Sequence, residues 1–290
     1  DFEEAVKYYT VFGRVTPEQK RYLVRAFQKQ GHTVAMTGDG VNDVLALKDA
    51  NCGIAMASGS QAASQVAQIV LLNSQFSAMP AIVAEGRRVI NNIQRAASLF
   101  LVKNIFSFAL FIDMPYPLLP IQLSLISTFT IGIPSFFLAL EPNYARVEGK
   151  FMRNVIRRAM PGGLTNLTIV LLAGFFTSTF GLSNEQLNTI CVWVMSAVGL
   201  VTLYHVSVPF TRLRLAVLAA MTAAMLFSLL VIPAFFDLPA LNASSALILV
   251  TLLLACPTVM RFFRVIFDKR VAKLDLAPAK KQKKRHRFEK

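Results

Sequence analysis

Acidic residues are scarce in this chain: 16 Asp and Glu stand against 30 Lys and Arg, for a formal net charge of +14. None lies well inside a long apolar run; Asp113 and Glu141 only border such runs. Cysteine is also rare. Cys52, Cys191 and Cys256 are far apart and no CxxC pair exists, which argues against a disulfide framework or a structural zinc site and predicts free, buried thiols. The start, Asp1-Phe2-Glu3-Glu4, lacks the basic flank and apolar stretch of a signal peptide and lacks an initiating Met, so it reads as the continuation of something longer. What the chain has in excess is apolar residues, 54% of 290. Soluble domains rarely combine that share with so high a charge, and the apolar residues are unevenly placed. Before about Gln94 polar and apolar residues mix; after it come runs of about 18–23 apolar residues, long enough to cross a bilayer core of about 30 Å.

The first part reads as α/β. Thr16 caps a helix that opens with Pro17 and closes a capping box through Gln19; Leu23, Val24 and Phe27 give its apolar face and Gly31 its end. A short strand is expected at 33–36, then a glycine-rich turn, a helix at 42–49, a strand at 52–56, a helix at 61–67 and a strand at 69–71. Alternating strands and helices imply a parallel sheet with ligands at the carboxyl ends of its strands, where Asp39 stands.

From about Ala78 the pattern is helical. The reading is a soluble part at 1–77, a stalk helix at 78–95, a membrane domain at 96–267 and a basic tail at 268–290. Six apolar helices are expected, at about 96–113, 119–140, 160–180, 187–209, 213–236 and 244–267. Arg146, Lys150, Arg153, Arg157 and Arg158 follow the second, and Arg212 and Arg214 follow the fourth. The opposite loops, around Tyr116, 183–186 and 237–242, hold no Lys or Arg. That asymmetry predicts an integral membrane protein with the soluble part, both basic loops and the tail on the cytoplasmic side, the plasma membrane being the expected location. The run Lys280-Lys281-Gln282-Lys283-Lys284-Arg285 next to a last membrane helix suits topology and anionic lipid rather than nucleic acid.

The stretch Thr37-Gly38-Asp39-Gly40-Val41-Asn42-Asp43 carries the chemistry. Two carboxylates flank an Asn just after a buried strand. The glycines let backbone approach a ligand closely, and the helix that follows aims free N–H groups at negative charge. Oxygen ligands at this spacing suit Mg²⁺, which takes one or two carboxylates together with phosphate oxygens.

These residues resemble the P-type ATPases, whose hinge signature TGDGVND stands intact at residues 37–43. Arg14-Val15-Thr16-Pro17-Glu18-Gln19-Lys20 is similar to the family segment whose lysine contacts the phosphoryl group. Ala46-Leu47-Lys48-Asp49-Ala50, Gly53-Ile54-Ala55-Met56 and Glu85-Gly86-Arg87 match further family strings. The resemblance implies a partial haloacid dehalogenase-like phosphorylation domain followed by the last six membrane helices of an ATP-driven, cation-translocating pump. It assigns Asp39 to Mg²⁺, Asn42 and Asp43 to ordering the phosphorylation loop around the metal, Lys20 to the transferred phosphoryl group, and Thr37, Gly38 and Gly40 to the cofactor-binding turn. Mg²⁺ and ATP are the implied cofactors, with ATP held mainly by an N-terminal portion. Bilayer, transported cation and that N-terminal portion are the implied partners. The family's Asp-Lys-Thr-Gly-Thr nucleophile string is not in this sequence, so the resemblance implies that the chain by itself forms no acyl phosphate.

The same resemblance points to a transport site. Calcium pumps of the family place an Asn and a Glu in the first of these helices, and an Asn, a Thr and an Asp in the second; here the matching positions are Asn104, Ser107, Ser127, Thr130 and Ile131. Both carboxylates are replaced. Lys103 stands mid-span instead, roughly 12 Å along the helix from Arg95 at 1.5 Å per residue. An intramembrane charge is a functional candidate by default. Pro134 is expected to break the second helix and free carbonyls. A non-enzymatic membrane subunit, and a flippase-like pump for a lipid or organic cation, are the alternatives.

Overall fold

The computed structural model describes residues 2–111 and 118–288, with side chains described through 107 and from 118 to 270. It divides into two compact units, residues 1–84 and 85–290.

The first unit is a small α/β piece built on one three-stranded sheet. Helices α1 (Phe2–Tyr8) and α2 (Pro17–Lys29) precede β1 (Ala35–Gly38). A 3₁₀ turn at Val41–Asp43 leads into α3 (Val44–Asp49); β2 (Cys52–Met56), α4 (Gln61–Val66) and β3 (Ile69–Leu71) follow. The three strands are parallel in the order β1-β2-β3, with Gly38 opposite Ala55 and Ala55 opposite Val70. The α/β reading with a parallel sheet is borne out. The expected first strand lies two residues too early: Thr33 and Val34 stay outside the sheet, and the glycine turn's own Thr37 and Gly38 are drawn into it by pairing with β2. The expected helix at 42–49 starts as 3₁₀, and α1 was not expected at all.

The capping box at α2 is present: Gln19 N–H donates to Thr16 Oγ1 and Thr16 N–H to Gln19 Oε1. Leu23, Val24 and Ala26 are buried on its inner face. Arg21 Nε and Arg25 Nε both donate to Asp49 Oδ2, at 2.6 and 2.7 Å, tying α2 to the end of α3. Beneath them Ala46, Leu47 and Ala55 are fully buried. Burying one leucine is worth about 1.5–3 kcal/mol, so Leu47 anchors the helix that fixes the turn after β1.

The second unit is helical: α5 (Met79–Phe111, most of it in this unit), α6 (Pro120–Ser127), α7 (Ile133–Ala139), α8 (Phe151–Thr179), α9 (Asn184–Ser207), α10 (Arg212–Leu230) and α11 (Ala243–Phe288). Among the described residues, five helical stretches are long and apolar enough to cross a membrane: 120–139, 151–179, 184–207, 212–230 and 243–270. The end of the expected first segment, 96–113, lies outside the described residues. Helix α9 is the core: Ile190, Cys191, Val192, Val194, Met195 and Val198 are all fully buried. All three cysteines are unpaired; Cys191 and Cys256 are buried, but Cys52, the first residue of the central strand β2, is only half-buried.

Pro134 does not break its helix. A π turn at Thr128–Gly132 joins α6 to α7, and Ile133 N–H donates to Thr128 O across it. The wider turn absorbs the missing proline N–H while the helix runs on. Polar residues in the apolar helices mostly spend their hydroxyls on their own backbone four residues back, as Thr165, Thr177, Thr202 and Ser228 do.

Candidate active site

The turn after β1 gathers the candidates of the first unit. Asp43 is buried, and its Oδ1 accepts from Lys20 Nζ at 2.7 Å while Oδ2 accepts from Gly40 N–H at 3.3 Å. Gly38 makes this possible: a Cβ there would lie 2.5 Å from the Cβ of Asp43. Asp39 is exposed, and its carboxylate has no partner among the described residues. Only its backbone is held, by Ser60 N–H donating to Asp39 O at 2.7 Å. Gly59 closes that contact, since a Cβ on it would come within 2.3 Å of Asp39 O. Asn42 is exposed beside them, and Thr37 is half-buried in β1.

The arrangement is one fixed cation–carboxylate pair and one uncommitted carboxylate on a rigid strand end. No group of three His, Cys, Asp or Glu side chains capable of holding a metal by themselves exists among the described residues. A lone free carboxylate, an adjacent Asn and glycine-lined space fit Mg²⁺, which completes its shell with waters and phosphate oxygens. Lys20 is bound to Asp43 and points at the same strand end, so its charge is oriented before any ligand arrives.

The candidates in the second unit are divided. Lys103, Ser127 and Thr130 line one small cavity of about 20 Å³, with Asn166 and Thr202. That is room for about one water-sized particle. Asn104 is exposed and lies off this cavity, and Ser107 is not among its lining residues either. Thr130 Oγ1 donates to Ile126 O at 2.7 Å, so its hydroxyl proton is committed. Lys103 is half-buried with no side-chain partner among the described residues. Asn166 went unnoticed in the sequence. It is 3% exposed and its Oδ1 has no hydrogen-bond partner. Its signal was available: an amide in the middle of an apolar run.

A second group whose setting the sequence did not show is Glu141, which borders an apolar run and proves to be buried. Its Oε2 accepts from Arg95 Nη1 at 2.9 Å and from Arg214 Nε at 2.6 Å, and its Oε1 accepts from Thr211 Oγ1 at 2.6 Å. Burial alone would raise its pKa, but the Thr211 hydroxyl and the two guanidiniums outweigh it and hold the carboxyl below its ordinary value. Asn92 Nδ2 donates to Ala139 O and Glu141 O, and Asn91 Nδ2 to Asn143 O and Ala145 O, fastening the segment after α7 to α5.

Comparison with known proteins agrees with the fold of the first unit. Residues 2–51 match the family model of the haloacid dehalogenase-like hydrolases. The probable cation-transporting ATPase exp7 of Streptococcus pneumoniae is 40% identical over 217 residues, 70% of this chain and 28% of that protein. The calcium-transporting ATPase CtpE of Mycobacterium bovis is 45% identical over 231 residues, 73% of this chain and 29% of that protein. A calcium-transporting ATPase of Bacillus subtilis is 35% identical over 158 residues, 52% of this chain and 17% of that protein. The chain thus spans less than a third of the length of these relatives. A hydrolase-type parallel strand ending in the intact TGDGVND string, followed by apolar helices that align with membrane ATPases, places this chain among the P-type ATPases, where it carries the end of the phosphorylation domain.

Proposed function

We propose that the chain forms part of an ATP-driven pump that moves a cation across a membrane through Mg²⁺-dependent aspartyl-phosphate chemistry. The carrying observation is the Lys20–Asp43 pair at 2.7 Å beside the uncommitted Asp39 carboxylate, at the carboxyl end of β1. Phosphoryl transfer is catalysed by positioning and charge neutralisation, and these residues are of the kind that does both. Lys20 supplies a fixed positive charge for the phosphoryl oxygens. Asp43 orients Lys20 and, through Gly40 N–H, holds the turn. Asp39 is the residue that would hold Mg²⁺, with Asn42 alongside; bound there, the ion would neutralise phosphate charge. Gly38 and Gly59 let the turn pack closely against Asp43 and the Asp39 backbone, and so fix where the Asp39 carboxylate stands.

For the cargo, the relatives' names favour a cation, and three of those at 43–49% identity are calcium-transporting ATPases, which makes Ca²⁺ the first ion to test. The cavity at Lys103 offers neutral oxygens from Ser127, Thr130, Asn166 and Thr202 and, among the described residues, no carboxylate. Ca²⁺ prefers six to eight oxygens with carboxylates among them. Two unit charges 4 Å apart interact by about 4 kcal/mol at an effective dielectric near 20, so a charged Lys103 opposes a divalent ion in this cavity. We therefore infer that Ca²⁺, if it is the cargo, does not sit here in a two-carboxylate site of the calcium-pump kind.

The test is a chimera in which this chain replaces the matching region of the M. bovis ATPase. Ion-stimulated ATP hydrolysis is measured across Ca²⁺, Mg²⁺ and K⁺, with and without Lys103→Ala. Cation-stimulated turnover that Lys103→Ala alters supports the reading; turnover indifferent to every cation sinks it.

A further inference from the structure

We propose that the second unit holds a binding site for a phosphate-bearing anion, in a cavity among α5, α8, α9 and α11 that meets the cavity at Lys103 at Thr202 and is otherwise lined by different residues. It measures about 420 Å³, within the usual range for small-ligand pockets. Arg146, Arg157, Arg158 and Arg264 line it, against the carboxylates of Glu148 and Asp268. Asp268 is already matched: its Oδ1 accepts from Arg157 Nε at 2.6 Å. Arg264 Nη1 lies 2.9 Å from His205 Nδ1, a neutral contact that leaves its charge uncompensated. Arg146 and Arg158 have no carboxylate partner among the described residues, so positive charge exceeds negative by two around the cavity.

The independent observation is Gln94. It is 2% exposed, it lines this cavity, and its side-chain Nε2 has no hydrogen-bond partner. An unpaired buried amide donor is unfavourable, and a ligand acceptor would relieve it. Guanidiniums and an amide converging from several elements match a group rich in anionic oxygens, and arginine is the side chain suited to forked phosphate contacts. The cavity lies where helices long and apolar enough for a membrane carry their arginines, so the phosphate can belong to an anionic lipid headgroup or be free in solution.

The chain, purified in a neutral detergent, is titrated with dioctanoyl phosphatidic acid, inorganic phosphate and dioctanoylglycerol, with binding read by native mass spectrometry. Saturable binding of phosphatidic acid and none of dioctanoylglycerol is expected. Phosphate binding as tight as phosphatidic acid assigns the site to free phosphate; markedly weaker phosphate binding assigns it to lipid. R146Q/R158Q should weaken the preferred probe at least about tenfold and Gln94→Leu several-fold. Arg212→Gln, an exposed arginine outside the cavity, should change nothing. Circular dichroism and elution position verify each fold, and R158Q alone replaces the double variant if that one misfolds. Absence of saturable binding by either phosphate probe, or wild-type affinity in folded R146Q/R158Q or R158Q and in Gln94→Leu, overturns the proposal.

Discussion

Asp43 and Glu141 are the two buried carboxylates whose partners are most clearly defined, and they lead to different expectations. Asp43 lies 23 positions from Lys20 in sequence, yet the two are in contact. Replacing Lys20 with Ala should lower phosphorylation in the chimera without abolishing it, because one monovalent contact is lost while the metal carboxylate remains; a single-turnover assay with labelled ATP reads this. Glu141→Gln should destabilise the chain by about 3–5 kcal/mol at neutral pH, since two buried guanidiniums lose their common counter-charge. The pH sign follows from the depressed carboxyl. Its stabilisation is present above the unfolded value of about 4.3 and disappears as pH falls through the lower folded value. The gap between wild type and Glu141→Gln in detergent melting should therefore be full at pH 6 and shrink below about pH 4. A gap unchanged down to pH 3 would mean that the triad does not titrate as a unit. Asp43 and Lys20 stood out in the sequence because the strings that hold them, residues 37–43 and 14–20, resemble family segments. Glu141 did not, because a carboxylate at the end of an apolar run looks the same whether it faces water or two arginines from distant helices.

Among elements, the helices and strands around the turn were readable where local chemistry decides them. The Thr16 capping box set the start of α2, and the short apolar runs at 52–56 and 69–71 between helical segments set two strands. The start of β1 was misplaced because pairing with β2, not propensity, selects Ala35–Gly38. The π turn before Pro134 was missed for a similar reason: a proline signals a lost N–H, and the response depends on what packs nearby. Here Gly199 lets α9 press against Thr130, where a Cβ would come within 2.6 Å of Thr130 Cγ2. The tight element in the first unit is Gly38. Gly38→Ala should push Asp43 out of place, cost about 1–3 kcal/mol of stability by overpacking, and lower chimera phosphorylation more than Lys20→Ala does. Equal stability and activity in Gly38→Ala, by denaturant melting and the labelled-ATP assay, would show that the turn tolerates a shifted Asp43.

At the scale of the whole molecule, apolar length and charge asymmetry announced a membrane domain after a small α/β unit, and the helices at 120–139, 151–179, 184–207, 212–230 and 243–270 bear that out. Which polar groups meet inside was beyond sequence, since Lys103, Ser127, Thr130 and Asn166 come from three separate helical segments. The basic connections predict sidedness. A membrane-impermeant maleimide should label Lys150→Cys and Arg212→Cys from one side only, and Asn242→Cys from the other. Labelling of all three from one face would overturn the assumed order of crossings. The central claim is that Asp39 sits in a working phosphoryl-transfer site. Its most direct test is acid-stable, hydroxylamine-sensitive label from ATP in the chimera with the M. bovis ATPase, compared between the unaltered chain and Asp39→Ala across a wide Mg²⁺ range. The account predicts label with Asp39 present and none with Asp39→Ala at any Mg²⁺ concentration; near-normal label in Asp39→Ala would contradict it.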